Sequence, residues 1–441
     1  MEPSWTLHIR GLGPIKEADI EVRPFMMFVG PNDVGKSMVA SMLYGVLHSI
    51  DSFFSWKNFE QSREFIACQN MLQAYLTDNA DKETTLNHDD NSLITALINR
   101  CLEEKKDAIV QSLFSTKRIN ILELSITYSY TLPISLKKGL SDSNIFLEEP
   151  LSFSIPANIY NENENTNSLA VFFRFLFRDL LTNHVGDIFG AYFKYPLYFP
   201  TSRSGYTLTY RTIASEMMNQ FGVDPKPQTT KLAQTTINFL QRLIHLEITE
   251  HSEYSDTAEQ MEQNIINGKI LLLDTGGMPE IRYQPKGSDQ HFPLHNASSL
   301  VSELASLVLF LRYKTEFSFL FIDEPEAHLH ITNQRKLAGI FANLVNQGIP
   351  VCIATHSDIL FQQVNNLIKM SRFPRLTEEY GYQPEDVFDP NQVAAYSFEP
   401  SENGTVVQKI ECTKHGFAAV TFNDELMALS KETLALQEND Q

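Results

Sequence analysis

The eight residues Gly30, Pro31, Asn32, Asp33, Val34, Gly35, Lys36 and Ser37 constrain this chain more than any other stretch. They follow a short apolar run, Phe25 to Val29, and lead into an apolar pattern of helical period. Gly-x-x-x-x-Gly-Lys-Ser between a buried strand and a helix is the pattern of a phosphate-binding loop. The glycines let backbone N–H groups wrap a phosphate chain, and the helix that follows points its positive end at it. Lys36 is placed to reach the β- and γ-phosphates, and the Ser37 hydroxyl to hold Mg2+. Gly30 to Met38 are therefore the expected nucleotide cradle. A chance glycine-rich turn is the competing explanation, and it leaves the flanking strand and helix unaccounted for.

Such a loop needs a metal carboxylate and a group that activates water. Phe319 to Ile322 read as a continuous apolar strand of the kind buried in a parallel sheet. Asp323 ends it, where it can hold Mg2+ through water, and Glu324 is the candidate general base. Strand alternation points these two carboxylates to opposite faces, so only the last turn of the strand lets both reach the phosphates. A plain strand-ending Asp-Glu-Pro turn is the alternative. The stretch VCIATHSD repeats the design, with an apolar strand ending in Thr355 and His356. His356 is the candidate γ-phosphate sensor, although a lone histidine is more often structural. Upstream, Ser298 and Ser299 precede a helical pattern and form an anion site by geometry. An ordinary N-cap completed by Ser302 or Glu303 fits that stretch equally well.

Composition narrows the remaining classes. The chain has 441 residues, enough for two or three domain-sized units or one core with large insertions. Its hydrophobic share of 43% and charged share of 20% describe a folded chain rather than a disordered one. A net charge of −19 argues against nucleic-acid binding over the whole surface and leaves a local basic groove open. Cys68, Cys101, Cys352 and Cys412 have neither metal-ligand spacing nor the look of a disulfide framework. The opening MEPSWTLHIRGLG lacks the pattern of a signal peptide. No apolar run approaches the ~18 residues of a membrane span. The greasiest stretch, from Leu169, carries Arg174, Arg178 and Asp179 and reads as a buried amphipathic helix. The expected location is the cytosol.

Along the chain, strands are expected at 6–12 and 18–22 about a Gly13–Pro14 turn, and a helix from Ser37 to about Ser52. Residues 53–118 read as helical and polar, with a solvated charge run at Glu103–Asp107. Alternation from Leu122 to Tyr130 predicts a half-buried strand, and 151–155 a second. A loop at 161–167 and an aromatic helix at 168–182 follow. Then come an apolar strand ending in a turn with Arg203, helices over 209–265 and a hairpin over 268–285. Helices and strands then alternate to His356, followed by a helix, a hairpin and an acidic helical tail from Phe422. The expected division is an N-terminal lobe of 1–52 and 119–206, helical insertions at 53–118 and 207–267, and a C-terminal lobe of 268–441.

The order of these motifs resembles the ABC-class ATPase head, an α/β P-loop NTPase fold, and within it the OLD-like and SMC/RecF-like group rather than transporters. GPNDVGKS, ASSLVSEL, FIDEPEAHLH and ATHSD carry the resemblance, and YFPTSRSGY looks like a block of stand-alone OLD-like ATPases. The resemblance implies ATP and Mg2+ as cofactors and a nucleotide held between two protomers, in a homodimer or a ring of dimers. Lys36, Ser37, Asp323, Glu324 and His356 would act in cis, and Ser298 or Ser299 would touch the γ-phosphate in trans. Two departures stand out: Ala-Ser-Ser-Leu-Val replaces the usual Leu-Ser-Gly-Gly-Gln, and Met38 stands where a second hydroxyl residue usually follows Ser37. Arg203 either reaches the phosphates or forms a salt bridge in the core.

By the same resemblance the chain is similar to stand-alone ATPases of prokaryotic anti-phage defence, such as those of PARIS and Septu systems. This implies a phage-protein trigger and a separate effector nuclease of TOPRIM or HNH type. The alternative is a RecF- or SMC-like repair or chromosome-maintenance ATPase, against which the acidic composition and the lack of heptads argue.

Overall fold

The computed structural model describes residues 5–78, 84–116, 118–128, 134–138, 146–148, 152–155, 165–182, 194–220, 232–276, 278–313, 317–418, 428 and 431–436. Strands β1 (Trp5–Leu12), β2 (Ile15–Glu21) and β3 (Phe25–Val29) precede α1 (Lys36–His48). Then come α2 (Arg63–Asp78), β4 (Thr84–Thr85), α3 (His88–Phe114), β5 (Glu123–Tyr128), β6 (Ser135–Lys138), β7 (Phe146–Glu148), β8 (Ser152–Ile155), α4 (Asn165–Thr182) and β9 (Tyr195–Phe199). Next are α5 (Arg203–Gln220), α6 (Gln234–Ile244), α7 (Ser255–Met261), β10 (Gly268–Leu273), β11 (Glu280–Pro285), β12 (Phe292–Pro293) and α8 (Ser299–Arg312). The chain continues through β13 (Phe317–Asp323), α9 (Ile331–Asn346), β14 (Val351–Thr355), α10 (Asp358–Met370) and α11 (Pro374–Glu379). The strands β15 (Val393–Ser401), β16 (Gly404–Ile410), β17 (Cys412–Thr413) and β18 (Gly416–Phe417) follow.

Nine strands join in one mixed sheet in the order β5-β1-β2-β16-β15-β3-β14-β13-β9. From β15 to β9 every pairing is parallel. The other end is largely antiparallel, β1 pairing so with both β2 and β5, and β15 with β16. The parallel strands are largely apolar because both faces of the sheet are covered. Their alternation then sorts side chains into two cores. Met26, Phe28, Phe319, Phe321, Cys352 and Ala354 pack with α1, α3 and α4. Phe25, Met27, Leu320, Ile322, Val351 and Ile353 pack with α8, α9 and α10 on the opposite face.

This topology positions the ends of three neighbouring strands. Val29 pairs with Thr355 across β3 and β14, and Ala354 pairs with Asp323 across β14 and β13. In open parallel sheets, ligands bind outside the carboxyl ends of the strands. The phosphate loop, His356 and the Asp323–Glu324 pair all leave the sheet at that edge.

The expected elements are found with small shifts. The aromatic helix begins at Asn165 rather than Ser168, and Arg203 opens α5 instead of closing a turn. Helix α3 starts on a capping box formed by Asn87 and Asp90, and Glu103, Glu104 and Asp107 on it are exposed. Tyr130, residues 161–164 and most of the tail from Phe422 lie outside the described residues. Among the described residues, no helix is long and apolar enough to cross a membrane.

One partly buried acid in α4 sets a pH dependence. Burial pushes the Asp179 carboxyl up to about 8 from 3.8, against the pull of Arg178. A raised acid binds its proton more tightly in the folded state, so stability falls as pH rises from about 3.8 to about 8. Asp179→Asn should remove this slope. Melting temperatures of the two proteins should converge as pH falls to about 3.8 and separate at pH 8, with the variant higher; equal melting temperatures at pH 8 would count against the assignment.

Candidate nucleotide site

The phosphate loop is shaped by its glycines. Gly30 has φ 148°, and a Cβ there would collide with the Phe398 carbonyl. Gly35 has φ 91° and precedes α1 with no side chain capping the helix, so the first amides of α1 are not taken by a side-chain cap. Unclaimed amides at a helix start suit an anion. Asp33 also lies in the left-handed region, at φ 64°. Lys36 is buried and donates to the carbonyls of Gly30 at 2.7 Å and Pro31 at 2.5 Å. Its ammonium thus rests inside the loop on weak acceptors that a phosphate could replace. Burial lowers its pKa, while the charges of Glu324, Glu326, Asp323 and Asp33 oppose that.

Asp323 belongs to the same face of β13 as Phe319 and Phe321, the face that packs on α1. Tyr198 of β9 donates to its Oδ2 at 2.7 Å, and Ser41 of α1 donates to Tyr198 at 3.2 Å. Oδ1 of Asp323 is buried without such a partner. Burial raises the Asp323 pKa to about 6, with Tyr198 and Ser37 pulling it back down. An orphaned carboxylate oxygen beside a serine hydroxyl is a donor set that fits Mg2+, a hard cation that takes oxygen ligands. Ser37 and Asp323 are the residues that would hold the ion.

The alternation problem is solved by the backbone. The strand stops at Asp323, and Glu324 takes φ 45°, a conformation that non-glycine residues seldom adopt. This turns the chain so that Glu324 stays half-exposed rather than entering the opposite core. Its amide donates to Ala354 at 2.8 Å. Left-handed strain of this kind persists only where surroundings enforce it.

Arg203 does the enforcing, which decides between its two expected roles. Its guanidinium donates to the carbonyl of Asp323 at 2.6 Å and of Glu324 at 3.0 Å, and lies 2.6 Å from Glu303 in α8. Arg203 is thus a core ion pair that clamps the main chain of the turn. Glu303 faces Arg203 and does not complete the α8 cap. Ser298 is that cap, accepting from the Val301 amide at 3.4 Å. Ser298 and Ser299 are both exposed, and among the described residues no hydrogen bond joins them to the phosphate loop.

Two further residues belong to the site. Glu326 is buried beneath His356. Its Oε1 accepts from the Thr355 hydroxyl at 2.6 Å and the His356 amide at 2.9 Å, and lies 3.4 Å from His356 Nδ1. The histidine side chain itself remains 46% exposed, open at the strand edge. Glu326 and Tyr198 lie within FIDEPEAHLH and YFPTSRSGY, where no local pattern assigns either a role. Both act through partners far away in sequence, and no periodicity marks them; a second acid after the Asp-Glu-Pro turn was the available signal.

A glycine-built loop between strand and helix, with an acid-ended parallel strand two places along the sheet, defines an α/β P-loop ATPase. A family model described as AAA ATPase domain matches residues 6–361. The chain belongs to that family. Among solved structures, the chain is similar to the Smc head bound to the C-winged helix domain of ScpA, at 12% identity over 92% of this chain and 97% of that one, TM-score 0.38. It is also similar to the Pyrococcus furiosus Smc head domain with an extended coiled coil bound to the C-terminal domain of ScpA, at 12% identity over 99% of both chains, TM-score 0.36. A third is the SMC head domain from Thermotoga maritima, at 10% identity over 93% of this chain and 100% of that one, TM-score 0.34. No curated protein matches the chain.

Proposed function

We propose that this chain binds ATP with Mg2+, hydrolyses it at a site completed by a second protomer, and acts as the ATPase subunit of a prokaryotic anti-phage system. The observation that carries the hydrolytic part is the meeting of Lys36, Asp323 and Glu324 at one sheet edge, with the acid turn clamped by Arg203. Lys36 engages the β- and γ-phosphates, Ser37 and Asp323 hold the metal, and Glu324 takes the proton of the attacking water. His356, steadied by Glu326, reads the γ-phosphate.

The second protomer is proposed because Ser298 and Ser299 stand exposed at the start of α8 and, among the described residues, make no hydrogen bond to the phosphate loop of their own chain. A C2 arrangement lets each chain give these serines to the nucleotide of the other. ATP then ties two protomers together, and its hydrolysis releases them.

The defence role rests on the OLD-like blocks GPNDVGKS, YFPTSRSGY, FIDEPEAHLH and ATHSD. In this reading 1–52 with 119–206 and 268–441 make the ATPase head, while 53–118 and 207–267 are insertions that recognise a trigger or hold an effector nuclease. The longest described helix, α3, is 27 residues and packs into the core with α1 and α2 rather than leaving it as an arm.

The test is to assay the purified chain against DNA and RNA with ATP and Mg2+ or Mn2+. ATP turnover without cleavage, and phage protection that needs both this chain and its neighbouring gene, are expected. Cleavage that survives repurification and disappears on mutation of this chain would overturn the division of labour. Turnover strongly stimulated by DNA, with no effect on phage, would favour a repair or chromosome-maintenance role instead.

A further inference from the structure

The Arg203–Glu303 pair is an unexpected way to fill a core. Both residues are almost wholly buried, and Phe199, Leu304, Leu307, Ile322, Leu337 and Phe341 surround them. Apolar residues of similar volume would often be as stable there, so a buried ion pair by itself is weak evidence of a stabilising role. What distinguishes this one is what it connects. On one side, Arg203 holds two consecutive carbonyls, those of Asp323 and Glu324, at the strained turn. On the other, Glu303 lies one helical turn after Ser299, on the same face of α8.

Helix α8 is well suited to pass a displacement along its axis. Every residue from Val301 to Leu311 is buried. Its far end is fixed by Arg312, which pairs with Glu262 at 2.5 Å and donates to the Ile270 carbonyl at 2.6 Å. A contact at the exposed serine end can therefore reach Glu303 without being absorbed by a mobile segment.

We propose that Arg203 and Glu303 are positioning residues that couple the two composite sites of a dimer. Nucleotide on the partner protomer engages Ser298 or Ser299 of this chain, α8 carries the displacement to Glu303, and the Glu303–Arg203 pair passes it to the turn that aims this chain's own Glu324. Each site thereby licenses the other. Neither residue touches nucleotide. The coupling rests on the shared-site reading above, and it adds what that reading lacks: a reason for both sites to fire together.

Two measurements test it. In the first, turnover is followed against ATP concentration. Wild type should give a Hill coefficient above one, and Glu303→Gln should bring it to one. Turnover at saturation should fall about tenfold, within the usual range of coupling between sites, with ATP affinity of the dilute single protomer unchanged. The second needs no change in the buried pair, so misfolding of that variant cannot decide the matter. Mixed dimers are made from wild type and a chain carrying Ser298→Arg and Ser299→Arg. One composite site in each mixed dimer keeps every part. Coupled sites predict activity far below half of wild type, because the chain whose serines are blocked cannot aim its Glu324. A half-rate mixed dimer, or a wild-type Hill coefficient of one, would overturn the coupling and leave shared sites standing. Failure of Glu324→Gln to dimerise with ATP would remove the shared sites, and the coupling with them.

Discussion

Lys36→Ala is expected to remove measurable ATP binding. The ammonium is held within the loop by the carbonyls of Gly30 and Pro31, so its deletion leaves only two carbonyls at the mouth of a loop whose left-handed glycine remains. The folded state should therefore change little. The bound state loses the positive charge that bridges two phosphates, at about 1.5–3 kcal/mol for each hydrogen bond to a charged group. Two such bonds correspond to a loss on the order of 10²–10⁴ in affinity, since each 1.4 kcal/mol is tenfold. Titration with a fluorescent ATP analogue checks this. Wild-type affinity in the variant would mean that Lys36 keeps its loop contacts when nucleotide binds.

Glu324→Gln is expected to bind ATP normally and to lower turnover about 10²–10⁴-fold, the usual contribution of a general base. Glutamine has nearly the same shape, and the turn is held through main-chain atoms, by Arg203 and by the amide bond to Ala354. Geometry is thus retained while the proton acceptor is lost. The consequence is accumulation of the ATP-bound form, visible as a stable dimer by light scattering. A variant that hydrolyses ATP at the wild-type rate would show that another group, such as the buried Glu326, accepts the proton.

The parallel part of the sheet was legible because its strands are buried on both faces, which writes continuous apolar runs such as Phe25–Val29 and Phe319–Ile322. Residues at the ends of those runs were legible for the same reason: once the runs are neighbours, Lys36, Asp323, Glu324 and His356 fall at one edge. Strand order was not readable, since nothing local says that β14 lies between β3 and β13. The short strands β6, β7 and β8 form a separate sheet with β4, and only β8 carried a usable pattern. Arg203 was seen but not resolved, because its partners Glu303 and Asp323 lie about a hundred residues away and no spacing rule reports such contacts. Tyr198 and Glu326 were missed on the same grounds. The left-handed Glu324 reconciles alternation with function, and sequence pattern alone gives no sign of a non-glycine residue at φ 45°.

The most direct test of the account is phosphate release from ATP by the purified wild-type chain, with Mg2+ and with EDTA, beside Asp323→Asn. Release is expected to require Mg2+, to stop with EDTA and to fall at least ~10²-fold in the variant, because the ion's own charge stabilisation is lost. No release above the buffer rate, or equal release by wild type and Asp323→Asn, would contradict it.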